Sequence, residues 1–193
     1  LDKKYEAAQI ELFGEMVLNG YIYRGLKPVH WSPSSQTALA EAELEYPEGH
    51  ISESVYVSFP VVQIPSLLRN NLSNQGLNFP IDKEQISQRL NVAIWTTTPW
   101  TLPANLGVAV NENLDYVFAI DDSGRTMLVA DDLLSQFNEV LGIEFVKSAK
   151  VKGSLLEGIS YRNPLINRIS QVIIGGDYIT TESGTGLVHT APG

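Results

Sequence analysis

The chain has 193 residues, 44% hydrophobic and 18% charged, which is ordinary for a soluble globular protein with one good core or two small ones and excludes a disordered one. No apolar run approaches the roughly 20 residues that cross a bilayer, and no secretory signal opens the sequence. With no cysteine there is no disulfide, thiol nucleophile or thiolate metal site, and 13 Lys plus Arg against 22 Asp plus Glu leave a net charge of −9, which argues against a large phosphate-binding surface of its own.

In chain order, Tyr5, Ala8, Leu12 and Met16 recur at helical spacing, so residues 2–19 are predicted as a helix stopped by Asn19-Gly20. Short apolar segments follow at 21–24 and 29–31. The segment Trp31-Ser32-Pro33-Ser34-Ser35 predicts a Ser/Pro turn between strands, scaffold rather than chemistry. Residues 40–46 alternate with period two and predict a strand, despite helix-favouring Ala and Glu. Further strands are predicted at 55–59, 92–95, 106–110, 116–120, 126–130, 144–151, 172–174, 178–181 and 187–190, between turn clusters such as Asp122-Ser123-Gly124 and Ser183-Gly184. Asp82 with Gln85 three residues on predicts a capped helix through Ile86 and Leu90, and Leu133, Leu134, Phe137 and Leu141 predict another over 131–141. Residues 70–80, with four Asn and little periodicity, predict a long loop and the best candidate for disorder. The expected fold is mainly β with peripheral helices, of the α+β class, with a barrel-like core.

The run Trp95-Thr96-Thr97-Thr98-Pro99-Trp100-Thr101-Leu102-Pro103-Ala104-Asn105 follows an apolar strand with three successive hydroxyls. A packed strand alternates its faces, and the two prolines each remove a backbone donor, so the chain must leave its sheet here. The result is a rigid loop of hydroxyls and free backbone groups between two indoles. From spacing alone it serves equally as the wall of a small polar pocket or as a turn whose threonines cap neighbouring backbone and whose tryptophans fill a core. Asn105 alone reads as a turn residue before a strand, and His189 alone reads as a hydrogen-bonded core histidine.

Other chemistries lack support. His30, His50 and His189 are too scattered to suggest a metal site, and no His-Glu-x-x-His pattern or aspartate ladder is present. A Gly-x-Ser-x-Gly elbow and a phosphate-binding Walker loop are also missing. Gly184-Thr185-Gly186 reads as a tight turn, and Asp121, Asp122, Asp131 and Asp132 as solvated turn or cap residues.

Three stretches together, Lys27-Pro28-Val29-His30-Trp31 running on to Ala40-Glu41-Ala42-Glu43, the threonine loop with Leu102-Pro103-Ala104-Asn105, and Gly184-Thr185-Gly186-Leu187-Val188-His189-Thr190-Ala191-Pro192-Gly193, resemble the editing insertion of isoleucyl-tRNA synthetase. The resemblance spans almost the whole chain and is to the isoleucyl branch in particular, because the valyl and leucyl enzymes carry a Thr-Thr-Arg-Pro version of the loop.

The resemblance implies hydrolysis of valine from mischarged isoleucine tRNA, and of valyl adenylate as a further substrate. It places Thr97, Thr98 and His189 at the reaction and Trp95, Thr96, Trp100, Thr101, Asn105, Thr190 and Ala191 around the substrate. A water positioned by threonine hydroxyls and backbone would attack an ester that is already reactive, with the neutral imidazole shaping the pocket. The domain would need no metal or cofactor; ATP and magnesium belong to the synthetic domain of the larger enzyme. The implied partners are the 3′ end of isoleucine tRNA carrying valine and the rest of the synthetase, in the cytoplasm or an organelle, with no membrane. Residues 1–26 would connect to the synthetase body and 27–193 would form the editing domain. The chain opens on Leu1, as an excised piece would, and the family pattern continues past Ala191-Pro192-Gly193 to an aspartate that holds the substrate ammonium. The piece is therefore expected to catalyse little by itself. The competing readings are an editing domain for another aliphatic aminoacyl-tRNA and a non-catalytic module that binds a nucleotide or a tRNA end.

Overall fold

A computed structural model describes residues 2–192 and divides the chain into two compact units, Leu1–His50 and Ile51–Gly193. In the first unit, helix α1 (Lys3–Leu18) begins where the Asp2 carboxylate accepts the Lys4 amide at 2.9 Å, a short acceptor that satisfies one of the orphan donors of the first turn. It ends at Asn19-Gly20, with Gly20 at a φ of +77°, and buries none of its side chains. Strands β1 (Trp31–Ser32) and β2 (Thr37–Ala38) form a hairpin around the serine turn, which the Ser35 hydroxyl closes by donating to Ser32 Oγ at 2.7 Å. The strand expected at 40–46 is instead a single 3₁₀ turn, Glu41–Glu43. No neighbouring strand pairs with it, and the Glu43 carboxylate takes the Ala40 amide at 2.7 Å, so a local bond replaces the ladder.

The second unit carries β3 (Val55–Gln63), α2 (Ser66–Asn74), α3 (Lys83–Ser87), β4 (Leu90–Thr96), β5 (Gly107–Val110), β6 (Asp115–Ile120), β7 (Thr126–Ala130), α4 (Leu134–Leu141), β8 (Val146–Lys152), β9 (Ser160–Arg162), β10 (Ile169–Ile174) and β11 (Val188–Thr190). Its nine strands form one mixed sheet in the order β11-β5-β10-β9-β3-β4-β7-β6-β8, with β10–β5 and β4–β7 parallel and the other pairs antiparallel. The mainly β expectation holds. Closure does not: β11 and β8 end the sheet and do not pair with each other, so it is open rather than a closed barrel. The sheet does curl, bringing β11 beside β4 although four strands separate them in the pairing order. That curl positions the site.

The central strands are buried on both faces and read as apolar runs, with Val92, Ile94, Val117, Phe118, Leu128 and Val129 at 0% exposure. Phe59 of β3 stacks on Tyr161 of β9 with ring centroids 5.2 Å apart. The end strand β8 carries Lys147, Lys150 and Lys152, paired with Asp131 and Asp115 of the neighbouring segments. Charged side chains of this kind block edge-to-edge pairing with other sheets.

Residues 70–80 are not a loop throughout. Helix α2 runs into them because Leu68 and Leu72, one turn apart, are both fully buried. Burying two leucines contributes about 4 kcal/mol, against roughly 2 kcal/mol for the poor helix propensity of three asparagines. Packing wins. The Asp82 cap forms as expected, its carboxylate accepting from Glu84 and Gln85 amides at 3.1 and 3.0 Å, but α3 stops at Ser87 so that Leu90 can open β4. The expected helix over 131–141 starts as a 3₁₀ turn, Asp131–Leu133, before α4, and stops at Gly142 with a φ of +62°. Residues 178–181 form no strand: after Gly175-Gly176 the chain turns, with the Ile179 amide on the Gly176 carbonyl at 3.1 Å. Strand β9, only three residues long, carries no periodic signal that could have announced it.

Candidate functional site

Strand β4 ends where Pro99 withholds a donor, and the three threonines take different positions there. Thr96 is buried and inward: its hydroxyl accepts the Thr98 amide at 3.0 Å and lies 3.1 Å from Thr98 Oγ1. Thr97 points into a cavity, and among the described residues its hydroxyl has no hydrogen-bond partner. The following 3₁₀ segment, Pro99–Ala104, is tied back by the Thr101 amide and hydroxyl, both donating to the Thr98 carbonyl at 3.0 and 2.7 Å.

His189 of β11 faces this segment. Its Nε2 lies 2.9 Å from Thr101 Oγ1 and its Nδ1 lies 2.7 Å from Asn105 Nδ2. The Asn105 amide can be oriented in one way only, because Nδ2 also donates to the Gly107 carbonyl at 2.9 Å and Oδ1 accepts from the Tyr161 hydroxyl at 2.7 Å. Nδ1 of His189 is therefore the acceptor and Nε2 carries the proton. Thr101 accepts that proton's hydrogen bond and passes its own to Thr98. Both ring nitrogens are engaged, so neither offers a free lone pair to a substrate or water. Burial also holds His189 below the ordinary histidine range, with contact to Thr101 pulling the other way.

The cavity between these elements has a volume of about 460 Å³. Trp95, Thr96, Thr97, Thr98, Thr101, His189 and Ala191, all named from the sequence, line it. Trp100 does not: it is 75% exposed, because the 3₁₀ segment turns it outward. Asn105 lies behind the wall at 0% exposure, and Thr190 is half-buried beside the cavity without lining it.

Sequence reasoning missed the opposite wall, formed by Tyr178–Thr180 and Ser183–Leu187. Gly184 and Gly186 have φ of +78° and +73°, and a Cβ on Gly186 would stand 2.4 Å from that of Ala130. Only glycine fits there. The loop is pinned by the Thr185 carbonyl, which accepts the Ala130 amide at 2.8 Å, and by the buried Tyr116 hydroxyl, which donates to the Gly186 carbonyl at 2.8 Å. The paired glycines were the available signal, although a turn that folds back as a wall is a matter of tertiary placement.

Among the described residues no charged side chain lines the cavity: it offers threonine and serine hydroxyls, a phenol, an indole wall and one neutral imidazole. Such a set can orient a small polar substrate and a water. Among the described residues no group of three His, Asp or Glu side chains could hold a metal ion, and no helix is long and apolar enough to cross a membrane.

Residues 1–160 match the family described as class I tRNA synthetases (I, L, M and V). The chain is 63% identical over its whole length to isoleucine–tRNA ligases of Prochlorococcus marinus strain MIT 9313 and of Parasynechococcus marenigrum strain WH8102, and spans 20% of each. Among solved structures it resembles the editing domains of the cytosolic leucyl-tRNA synthetases of P. falciparum, at a TM-score of 0.55 and 14% identity over 72% of this chain and 60% of that one. The corresponding P. knowlesi domain gives 0.52 and 14% over 75% and 60%. At that identity the structural likeness speaks for the fold, and the sequence match for the family: the chain belongs to the class I tRNA synthetases.

Proposed function

We propose that this chain is the editing part of an isoleucyl-tRNA synthetase and that its cavity hydrolyses valine from mischarged isoleucine tRNA, with valyl adenylate as a second substrate. The observation that carries the reading is one small cavity lined by both the Thr97 hydroxyl, without a partner among the described residues, and the fixed His189 ring. The identity to isoleucine–tRNA ligases supports the choice of amino acid.

Editing is needed because one methylene is worth only about 0.8 kcal/mol of burial, roughly a fourfold preference, so a site that accepts isoleucine also accepts valine. A second site can select by overlap instead of by lost contact, since forcing a methylene into a filled space costs about 1–3 kcal/mol or more. His189, held on both sides, is a rigid wall of that kind. Thr97 and loop amides orient water toward the ester carbonyl, and the activated ester supplies the reactivity. Among the described residues no lining group other than the engaged imidazole could take up a proton at neutral pH, so as the acyl–oxygen bond breaks the water's proton passes through solvent to the departing ribose oxygen.

The test is deacylation of isoleucine tRNA charged with valine, threonine or isoleucine, by a full-length synthetase carrying this sequence, with and without a chelator. Valine should be released fastest, isoleucine slowest, and chelation should change neither rate. Preferential release of threonine would reassign the substrate, and binding of the tRNA end without release would make the domain a non-catalytic module.

A further inference from the structure

Tyr161 of β9 lies outside the cavity lining, fully buried, and yet its hydroxyl is two hydrogen bonds from His189. Its partners explain why a polar atom is tolerated there. The ring stacks on Phe59 with an interplanar angle of 11°, while the oxygen donates to Asn105 Oδ1 at 2.7 Å.

We propose that Tyr161 is a positioning residue for the editing site: through Asn105 it fixes the His189 ring in the Nε2–H tautomer, in the orientation that walls the cavity. The inference rests on the functional reading of that cavity. Donation runs one way from Tyr161 to Asn105 Oδ1, from Asn105 Nδ2 to His189 Nδ1, from His189 Nε2 to Thr101 Oγ1, and from Thr101 to the Thr98 carbonyl. Reversing any link sets two donors or two acceptors against each other inside the protein, where an unmade hydrogen bond is expensive. The chain therefore couples a core phenol to the threonine loop by proton order, without a charge. The groups that bond to the ring are Thr101 and Asn105, Val108 faces it across the strand pair, and the charged group joined to the network is Arg168, which donates to the Asn105 main-chain carbonyl at 3.2 Å. Among the described residues no carboxylate bonds to the ring.

Removing the phenol oxygen alone, Tyr161→Phe, keeps the stack on Phe59 but leaves Asn105 Oδ1 buried without a donor. The amide is then oriented by its Nδ2 donation to the Gly107 carbonyl alone, and turning Oδ1 toward His189 exchanges that bond for one from a proton on Nδ1. The released ring can carry its proton on either nitrogen or on both, and the wall loses its fixed position.

Long-range proton–nitrogen NMR of this 193-residue chain reads the tautomer directly, with the exposed His30 and His50 as internal references. The wild type should show His189 with a bare Nδ1 and a protonated Nε2 as a single form, taking up its second proton below the ordinary histidine range. Tyr161→Phe should add the Nδ1–H form and move that uptake up toward the ordinary histidine range. In an Asn105→Ala background, Tyr161→Phe should change the His189 signals no further. A wild-type Nδ1–H form would overturn the proposal, as would an unchanged spectrum in a folded Tyr161→Phe chain, or an equal shift with Asn105 absent. In the full-length synthetase, Tyr161→Phe should lower the valine-over-isoleucine deacylation ratio by about tenfold, the scale of one lost hydrogen bond. A changed tautomer with an unchanged ratio would overturn the selectivity role. Absence of valine release by the wild type would overturn the editing reading alone, since the spectra test the relay independently of any substrate.

Discussion

Asn105 Nδ2 stands 2.7 Å from His189 Nδ1, and the Gly107 carbonyl, 2.9 Å from the same nitrogen, makes that contact a donation to the ring. A histidine that accepts at Nδ1 and donates at Nε2 to Thr101 has no lone pair left for general-base work. The residue resembling a catalytic base is thus built into the wall.

Thr97 and Thr98 replaced together by alanine should slow valine release roughly 10- to 100-fold, the scale of a lost positioning contact. Thermal unfolding should shift little, because Thr98 is exposed and the Thr97 hydroxyl has no partner among the described residues. Thr96→Val should do the reverse: its buried hydroxyl holds the Thr98 amide, so stability falls by about 1 kcal/mol. Unchanged deacylation in the Thr97/Thr98 double variant at normal stability would make the loop structural.

Gly186→Ala should destabilise the chain by on the order of 3 kcal/mol, combining the cost of a left-handed residue with overlap against Ala130. The strained loop is a cavity wall, so valine release should fall with it. Denaturant unfolding measures the first effect, and a stability equal to wild type would show that the close approach is absent.

The phenol of Tyr161 is pushed up to about 12 by burial, and burial also raises Tyr116. A raised folded-state value gives stability that is fully present below the ordinary phenol value of 10.0 and is lost as pH rises through about 12. Stability measured against denaturant should therefore decline above about pH 10. Tyr161→Phe should flatten part of that decline, and an identical alkaline profile in the variant would contradict the assignment.

Much of this was legible in the sequence because its signals are local. Thr96–Thr98 between an apolar strand and Pro99 marks a loop wherever it lies, and the Gly142 stop and Asp82 cap are set by neighbouring residues. The errors lie where packing overrules propensity. Leu68 and Leu72 turn an asparagine-rich stretch into a helix, and Ala40–Tyr46 lacks a partner strand despite its alternation. Trp100 reads as a wall in the linear motif, but the 3₁₀ turn carries it to the surface. Tyr161 could not be found from sequence, because β9 is three residues long and its partner Asn105 is 56 residues away.

His189→Ala in the full-length synthetase, with valyl and isoleucyl esters assayed side by side, tests the central claim most directly. Removing the wall opens space for one more methylene, so the isoleucyl ester should be hydrolysed much faster than by the wild type while valyl hydrolysis continues. Collapse of both rates together would show that the imidazole is the base, and the account of His189 as a fixed wall would be wrong.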